Sequence, residues 1–229
     1  MTQLPGFVEE LRAIKETIIS NILLIGQTPA PTFEEAQRAE IFLERLADAQ
    51  TDICATDDYN NPIGIIKGTS GGAKPPIFVV AHLDTFIAGD VDHNYVIRKN
   101  SITGPGVLDN SASVGVLASL PTIFQKLGLS FESDIVLAGV TQSIGRGNLQ
   151  GIRHLVKNWE GPIRGAVIME AEKLGRLNYY SEGIIRGEIE CKITATDNWE
   201  QRYKPNAILI LNEVINEILA MELPQRPRS

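Results

Sequence analysis

The chain is predicted to fold as an α/β domain with a mostly parallel central sheet flanked by helices. Three observations predict it. The runs "PPIFVVAHLD", "SDIVLAGVTQSIG" and "GAVIMEAE" have the apolar, β-branched character and the length of buried strands. Stretches with helical spacing of apolar residues alternate with them. Polar residues stand at the ends of the runs, and open α/β sheets hold their ligand sites at that carboxyl edge.

The elements follow in order. From Pro5 to about Leu24, Phe7, Val8, Leu11, Ile14, Ile18 and Ile22 recur at helical spacing with charges between them, which predicts a surface helix. After the loop "GQTPAPT", Thr32 and Glu35 form a capping-box pattern that starts a second amphipathic helix through Leu46. "TDICATDDYNNPIGIIKGT" reads as two short strands around a turn rich in Asp and Asn. The first buried strand then ends in "AHLD". "GPGVLDNSASVGVLASL" delivers Asp109 on a loop and enters a helix of small residues that Pro121 is expected to end or kink. The strand Ile135–Val140, a short helix carrying His154, and the third strand complete the sheet pattern. In "IIRGEIECKITAT", Ile189, Cys191 and Ile193 alternate with Glu190, Lys192 and Thr194, as in a strand with one wet face. The last element, "NAILILNEVINEILAME", is a helix whose stripe of Ile208, Leu211, Ile215, Ile218 and Leu219 is expected to pack against the rest of the molecule; a homodimer would serve the same end.

Composition sets limits on function. With 229 residues, 43% hydrophobic and 21% charged, the chain suits one α/β domain, or one domain with a small appendage. A net charge of -7 without a basic cluster argues against nucleic acid and anionic membranes as partners. Two cysteines, Cys54 and Cys191, give no disulfide framework and suit a reducing compartment. No basic leader opens the sequence and no apolar stretch is expected to reach membrane-spanning length, so the expected location is the cytoplasm.

His82 and Asp84 stand two apart at a strand end, so both side chains point the same way. His82, Asp109 and Glu170, on three strand ends or loops, offer the imidazole and carboxylate ligands that a divalent ion such as zinc takes. Asp84 would then orient His82 through its other ring nitrogen. Each residue also has a plainer reading: Asp109 as a helix N-cap, Glu170 as a surface acid, Asp84 as a turn residue.

"TPAPTFEEAQRAEIFLERL", "VVAHLDTF", "GPGVLDNSASVGVLASL" and "GVTQSIGRGNLQGIRHL" resemble, in order and spacing, the co-catalytic zinc exopeptidases of the aminoacylase, glutamate carboxypeptidase and peptidase T family. The likeness runs from about Thr28 to Thr194. It implies hydrolysis of peptide or N-acyl amino-acid bonds, with His82 as a zinc ligand, Asp84 as its orienting catalytic partner, Asp109 as a metal-bridging carboxylate and Glu170 as the acid completing one metal's ligands. Four departures are implied as well. Gln142 stands where the family has its general base, Ser143 where it has a ligand of the second metal, and Trp199 where its lid domain has a histidine; the family's final metal-binding histidine lies beyond the matched segments. His93 and His154 fall outside the matched positions and read as surface or structural residues.

The resemblance thus implies residues 1–185 as a catalytic core, with the lid domain absent or reduced, and residues 186–229 as a lid remnant or closing elements. It implies at most one tightly bound zinc ion. Three functional readings stand: a metallohydrolase in which Glu172 or Glu132 replaces the base, a pseudoenzyme that binds a small ligand or a protein, and an interaction module whose acids are merely solvated. Small peptides or N-acyl amino acids are the expected partners of an active form.

Overall fold

The structure is a computed structural model that describes residues 4–170, 175–179, 187–193 and 206–222. Its first half comprises α1 (Leu4–Ala13), α2 (Lys15–Gly26), α3 (Ala36–Asp48), β1 (Ile53–Thr56), β2 (Pro62–Ile66), β3 (Ile77–His82), β4 (Val96–Arg98) and β5 (Ser101–Thr103). A π-type turn, Val107–Ser111, leads into α4 (Ala112–Lys126), followed by β6 (Ile135–Val140), α5 (Gln150–Asn158), β7 (Gly165–Ile168) and α6 (Ala207–Ala220). The chain divides into two compact units, Met1–Arg176 and Leu177–Ser229.

In the first unit the main sheet has the order β1-β2-β6-β3-β7. The three strands expected from the apolar runs, β6, β3 and β7, are parallel; β1 and β2 extend them as an antiparallel edge. This is the expected α/β architecture. Alternation along β3 and β6 divides the core into two layers. Ala81, Ile135 and Leu137 pack with Ile25, Phe42, Leu46 and Leu117 of the helices on one face, whereas Phe78, Val80, Val136 and Ala138 pack with Leu155 of α5 on the other. The small residues of α4 serve close packing: a Cβ on Gly115 would lie 2.6 Å from the Ile22 Cα in α2.

Five expectations are corrected. The first helix breaks at Ile14 into α1 and α2, of which α2 carries the buried Asn21 and Ile25. α4 runs through Pro121, which is buried within it, and there packing outweighs the missing backbone hydrogen bond. Val107–Lys126 is long and apolar enough to span a membrane by length and composition, but it is a core element here, packed on β3 and α2. All four residues of β7 are exposed, not buried, since β7 forms the edge of the described sheet. Residues 187–193 contain no strand; the flanking residues of that expected element lie outside the described ones.

In the second unit, α6 is capped by Asn206, whose Oδ1 accepts the Ile208 N–H at 2.8 Å. None of its residues is buried, and Ile208, Ile215, Ile218 and Leu219 are exposed, so the expected burial of the stripe is not met among the described residues of this unit. Helical spacing fixes a face, not what covers it.

The site-bearing edge is held by a buried arginine. Arg38 is 1% exposed. Its guanidinium donates to the carbonyls of Thr28 (2.5 and 2.9 Å), Leu83 (2.9 Å) and Gly26 (3.2 Å). Burial pulls its pKa down to about 10, opposed by the nearby Tyr95, Asp84 and Glu35, so it stays charged at neutral pH. Arg38→Met should cost about 3–5 kcal/mol, because three carbonyls lose their donor in a dry environment. Denaturant unfolding measures this, and a loss below about 1 kcal/mol would contradict the clamp.

Candidate metal centre

The register of the parallel strands assembles the site. Val80 lies opposite Ile168, and the Met169 N–H continues the ladder to the Val80 carbonyl at 2.8 Å, so Glu170 arrives beside His82. On the other side His82 pairs with Val140, and the chain beyond β6 runs past Asp84. Asp109 comes from the π-type turn, where its own backbone is non-helical (φ -124, ψ 88). The N-cap of α4 is Ser111, so the capping role for Asp109 is ruled out. Asn110 joins two arms of the site: its Nδ2 donates to the Met169 carbonyl at 2.9 Å, one residue from Glu170.

His82, Asp109 and Glu170 therefore converge. His82 Nε2 lies 3.1 Å from Asp109 Oδ1 and 3.5 Å from Glu170 Oε2, and one ligand atom from each of the three residues falls within 4.8 Å of the others. Two ligands of a tetrahedral zinc ion with bonds near 2.0–2.1 Å stand about 3.3 Å apart, so the spacing suits one ion. The donor set, one imidazole and two carboxylates, suits it chemically. His82 is buried while Asp109 and Glu170 are half-exposed or more, which leaves the site open to solvent on one side.

The imidazole is oriented from behind. Its Nδ1 lies 2.9 Å from the Asp84 carbonyl oxygen, which can only accept, so Nδ1 carries a proton and Nε2 faces the two acids. The Asp84 carboxylate contributes Oδ1 at 3.4 Å from Nδ1. Orientation thus comes more closely from the Asp84 backbone than from its side chain. Its other oxygen, Oδ2, accepts from Thr32 Oγ1 (2.9 Å) and from the N–H groups of Ser143 (2.9 Å) and Ile144 (2.8 Å). Asp84 is fully buried, so it is no mere turn residue.

Gln142 adopts a left-handed backbone (φ 51) and is half-buried; its N–H donates to Glu35 Oε1 at 2.8 Å. Ser143 is buried, and its Oγ donates to the Thr141 carbonyl at 3.4 Å. The expected capping box does not form: α3 starts without a side-chain cap bond, Thr32 is drawn to Asp84 and Glu35 to the Gln142 backbone. Burial pushes the Glu35 carboxyl up, opposed by backbone N–H groups, that of Gln142 first.

Glu132 is excluded as a replacement base. It is exposed, pairs with Lys74 and precedes β6, at the opposite end of that strand from Gln142. Glu172 and Trp199 lie outside the described residues. His93 is buried with its Nε2 3.0 Å from the Ala88 carbonyl, and His154 is half-buried and stacked on Tyr59. Sequence reading missed Glu35, Arg38 and Asn110 as supports. A helix-start pattern hid the first two, and Asn110 was visible only as a neighbour of Asp109.

Three carboxylates, those of Asp84, Asp109 and Glu170, surround one ring. Burial lowers the His82 pKa, but its contacts with Asp84 and Glu170 outweigh this and push it up to about 10. A raised folded-state value stabilises the metal-free protein fully below the unfolded pKa of about 6.5 and loses that contribution as pH rises toward 10. A metal ion at Nε2 must displace this proton, so zinc affinity should rise about tenfold per pH unit between pH 7 and 9. Competition titrations against a chelator measure it. A pH-independent affinity, with a His82 ring titrating near 6.5 by NMR, would contradict this assignment.

The same architecture recurs in solved peptidase structures. The dipeptidase Dug1p from Saccharomyces cerevisiae matches with a TM-score of 0.58 at 15% identity, over 73% of this chain and 41% of that one. Human carnosine dipeptidase 1 gives 0.59 at 11% identity over 73% and 41%, and aminopeptidase PepT from Bacillus cereus gives 0.55 at 13% over 69% and 44%. The chain has a peptidase-like fold and spans about two-fifths of the length of these proteins. No protein-family model matches it, and no curated protein matches it by sequence.

Proposed function

We propose that the chain is a one-metal, catalytically impaired relative of the zinc exopeptidases, binding small peptides or N-acyl amino acids at His82, Asp109 and Glu170. The convergence of those three residues on one point carries the reading. When bound, zinc would polarise a carbonyl and activate water. Everything else falls to the chain's own groups. Asp84 holds the His82 tautomer, Asn110 fixes the spacing between the Asp109 and Glu170 arms, and the exposed acids leave room for a ligand.

The impairment rests on Gln142 and Ser143. A carboxamide accepts no proton at neutral pH, and a missing general base removes about two to four orders of magnitude in rate. Ser143 offers a hydroxyl where a second ion would need a carboxylate, and its Oγ is engaged with the Thr141 carbonyl. The His82 group is the one potential metal cluster among the described residues. Cysteine usage and charge favour a reducing, cytoplasmic setting and no nucleic-acid partner.

Metal analysis should find one zinc per chain, lost in His82→Ala. Hydrolysis of N-acyl amino acids by the wild type should stay near background, and Gln142→Glu should raise it at least about tenfold. Two zinc ions per chain, or brisk wild-type hydrolysis, would overturn the impaired-site reading. Unchanged zinc content in His82→Ala would overturn the metal assignment.

A further inference from the structure

Beside the metal centre lies a cleft of about 330 Å³ whose walls carry Phe86, Ile87, Val107 and Leu108, with Asp109 at its rim. Phe86 and Leu108 are 68% and 58% exposed, an unusual place for two large apolar side chains on the rim of a site formed otherwise by acids. The cleft is built on a packed base. Gly104 and Gly106 line it without side chains, and a Cβ on Gly104 would lie 2.1 Å from the Tyr95 ring behind it. Tyr95 is itself buried and anchored, its N–H donating to Gln27 Oε1 at 2.7 Å and its hydroxyl to the Pro105 carbonyl at 3.1 Å. Loops held this way present a preformed surface, and small-ligand sites combine such apolar walls with a few placed polar groups.

We propose that this cleft is a specificity subsite that receives the apolar side chain of a ligand whose amide carbonyl lies at the His82, Asp109 and Glu170 group; the inference rests on the functional reading above. Asp109 belongs to both the cleft and the metal centre, which sets the two ligand features next to each other: a polar carbonyl and a branched or aromatic side chain on the adjoining carbon. The volume admits a leucine or phenylalanine side chain. A charged side chain gains nothing from the apolar walls, and an acidic one is repelled by Asp109 and Glu170. The four apolar residues act as specificity determinants and take no part in bond breaking.

Calorimetric titration of the full chain with N-acetyl-L-leucinamide and N-acetylglycinamide tests this, in zinc-loaded and metal-free forms. Both probes are neutral, so the acids do not bias the comparison. The leucine compound should bind at least about tenfold more tightly in either form. It should shift amide NMR signals of residues 86–87 and 104–108. The double variant Phe86→Ser, Leu108→Ser changes two exposed side chains, so it should keep the fold and the zinc affinity while losing the preference. Equal affinities, a preference that survives in the double variant, or shifts confined elsewhere would overturn the subsite. A preference in the metal-free chain alongside a failure to bind zinc would uphold the subsite and remove the metal reading, whereas zinc bound at His82 with no preference would do the reverse.

Discussion

The buried carboxylate of Asp84 is the constraint on which the candidate site depends. One oxygen accepts from the Thr32 hydroxyl and from two consecutive backbone N–H groups, Ser143 and Ile144. The other faces the His82 ring. Burial alone would raise its pKa, but the contacts with His82, Ile144 and Thr32 outweigh that and hold it below the usual carboxylate range. A charge in this position is tolerated because three donors converge on one oxygen and the His82 ring faces the other, which has no hydrogen bond of its own. It therefore locks together the loop before α3, the end of β3 and the loop after β6, three segments distant in sequence.

A second charge complements the first. Arg38 reaches the Leu83 carbonyl, between His82 and Asp84, and the loop carbonyls of Gly26 and Thr28. Its positive charge helps offset Asp84 and Glu35 in the interior. At the surface the balance tips the other way, since Asp109 and Glu170 face His82 Nε2 with no described cation beside them other than the ring itself. Such a site can be neutralised by a proton on Nε2 or by a metal ion in its place. The two occupants compete for one lone pair, which makes the acid-base behaviour of His82 and the affinity for metal a single property.

How far this was legible in the sequence depends on which physical pattern carried each part. The parallel strands were readable because apolar runs of strand length, placed between helical patterns, leave few alternatives, and the i, i+2 rule set His82 and Asp84 on one side. The proximity of Glu170 to His82 follows from a strand register that no local pattern encodes. Thr32 and Glu35 were misread because their spacing matches a helix start, while the structure gives both side chains to tertiary partners. β7 was misread for a related reason: Val167 and Ile168 are apolar, but burial is settled by what lies over a strand, and both are exposed. The fate of the α6 stripe fails to follow from periodicity on the same ground.

The loop carrying Gln142 is held in place without its side chain. Its left-handed backbone is held at Gln142 by Glu35, at Ser143 and Ile144 by Asp84, and at the Gln142 carbonyl by the Gln150 N–H at 3.0 Å. A Cβ on Gly147 would meet the Gln142 carbonyl oxygen at 2.5 Å, so the following turn closes directly onto this backbone. None of these contacts involves the Gln142 side chain. Exchanging a glutamate for glutamine there would change the proton chemistry and leave the supporting hydrogen bonds intact. The contacts that hold this loop therefore do not depend on which side chain stands at position 142, whereas the capacity to accept a proton there would reside in that side chain alone.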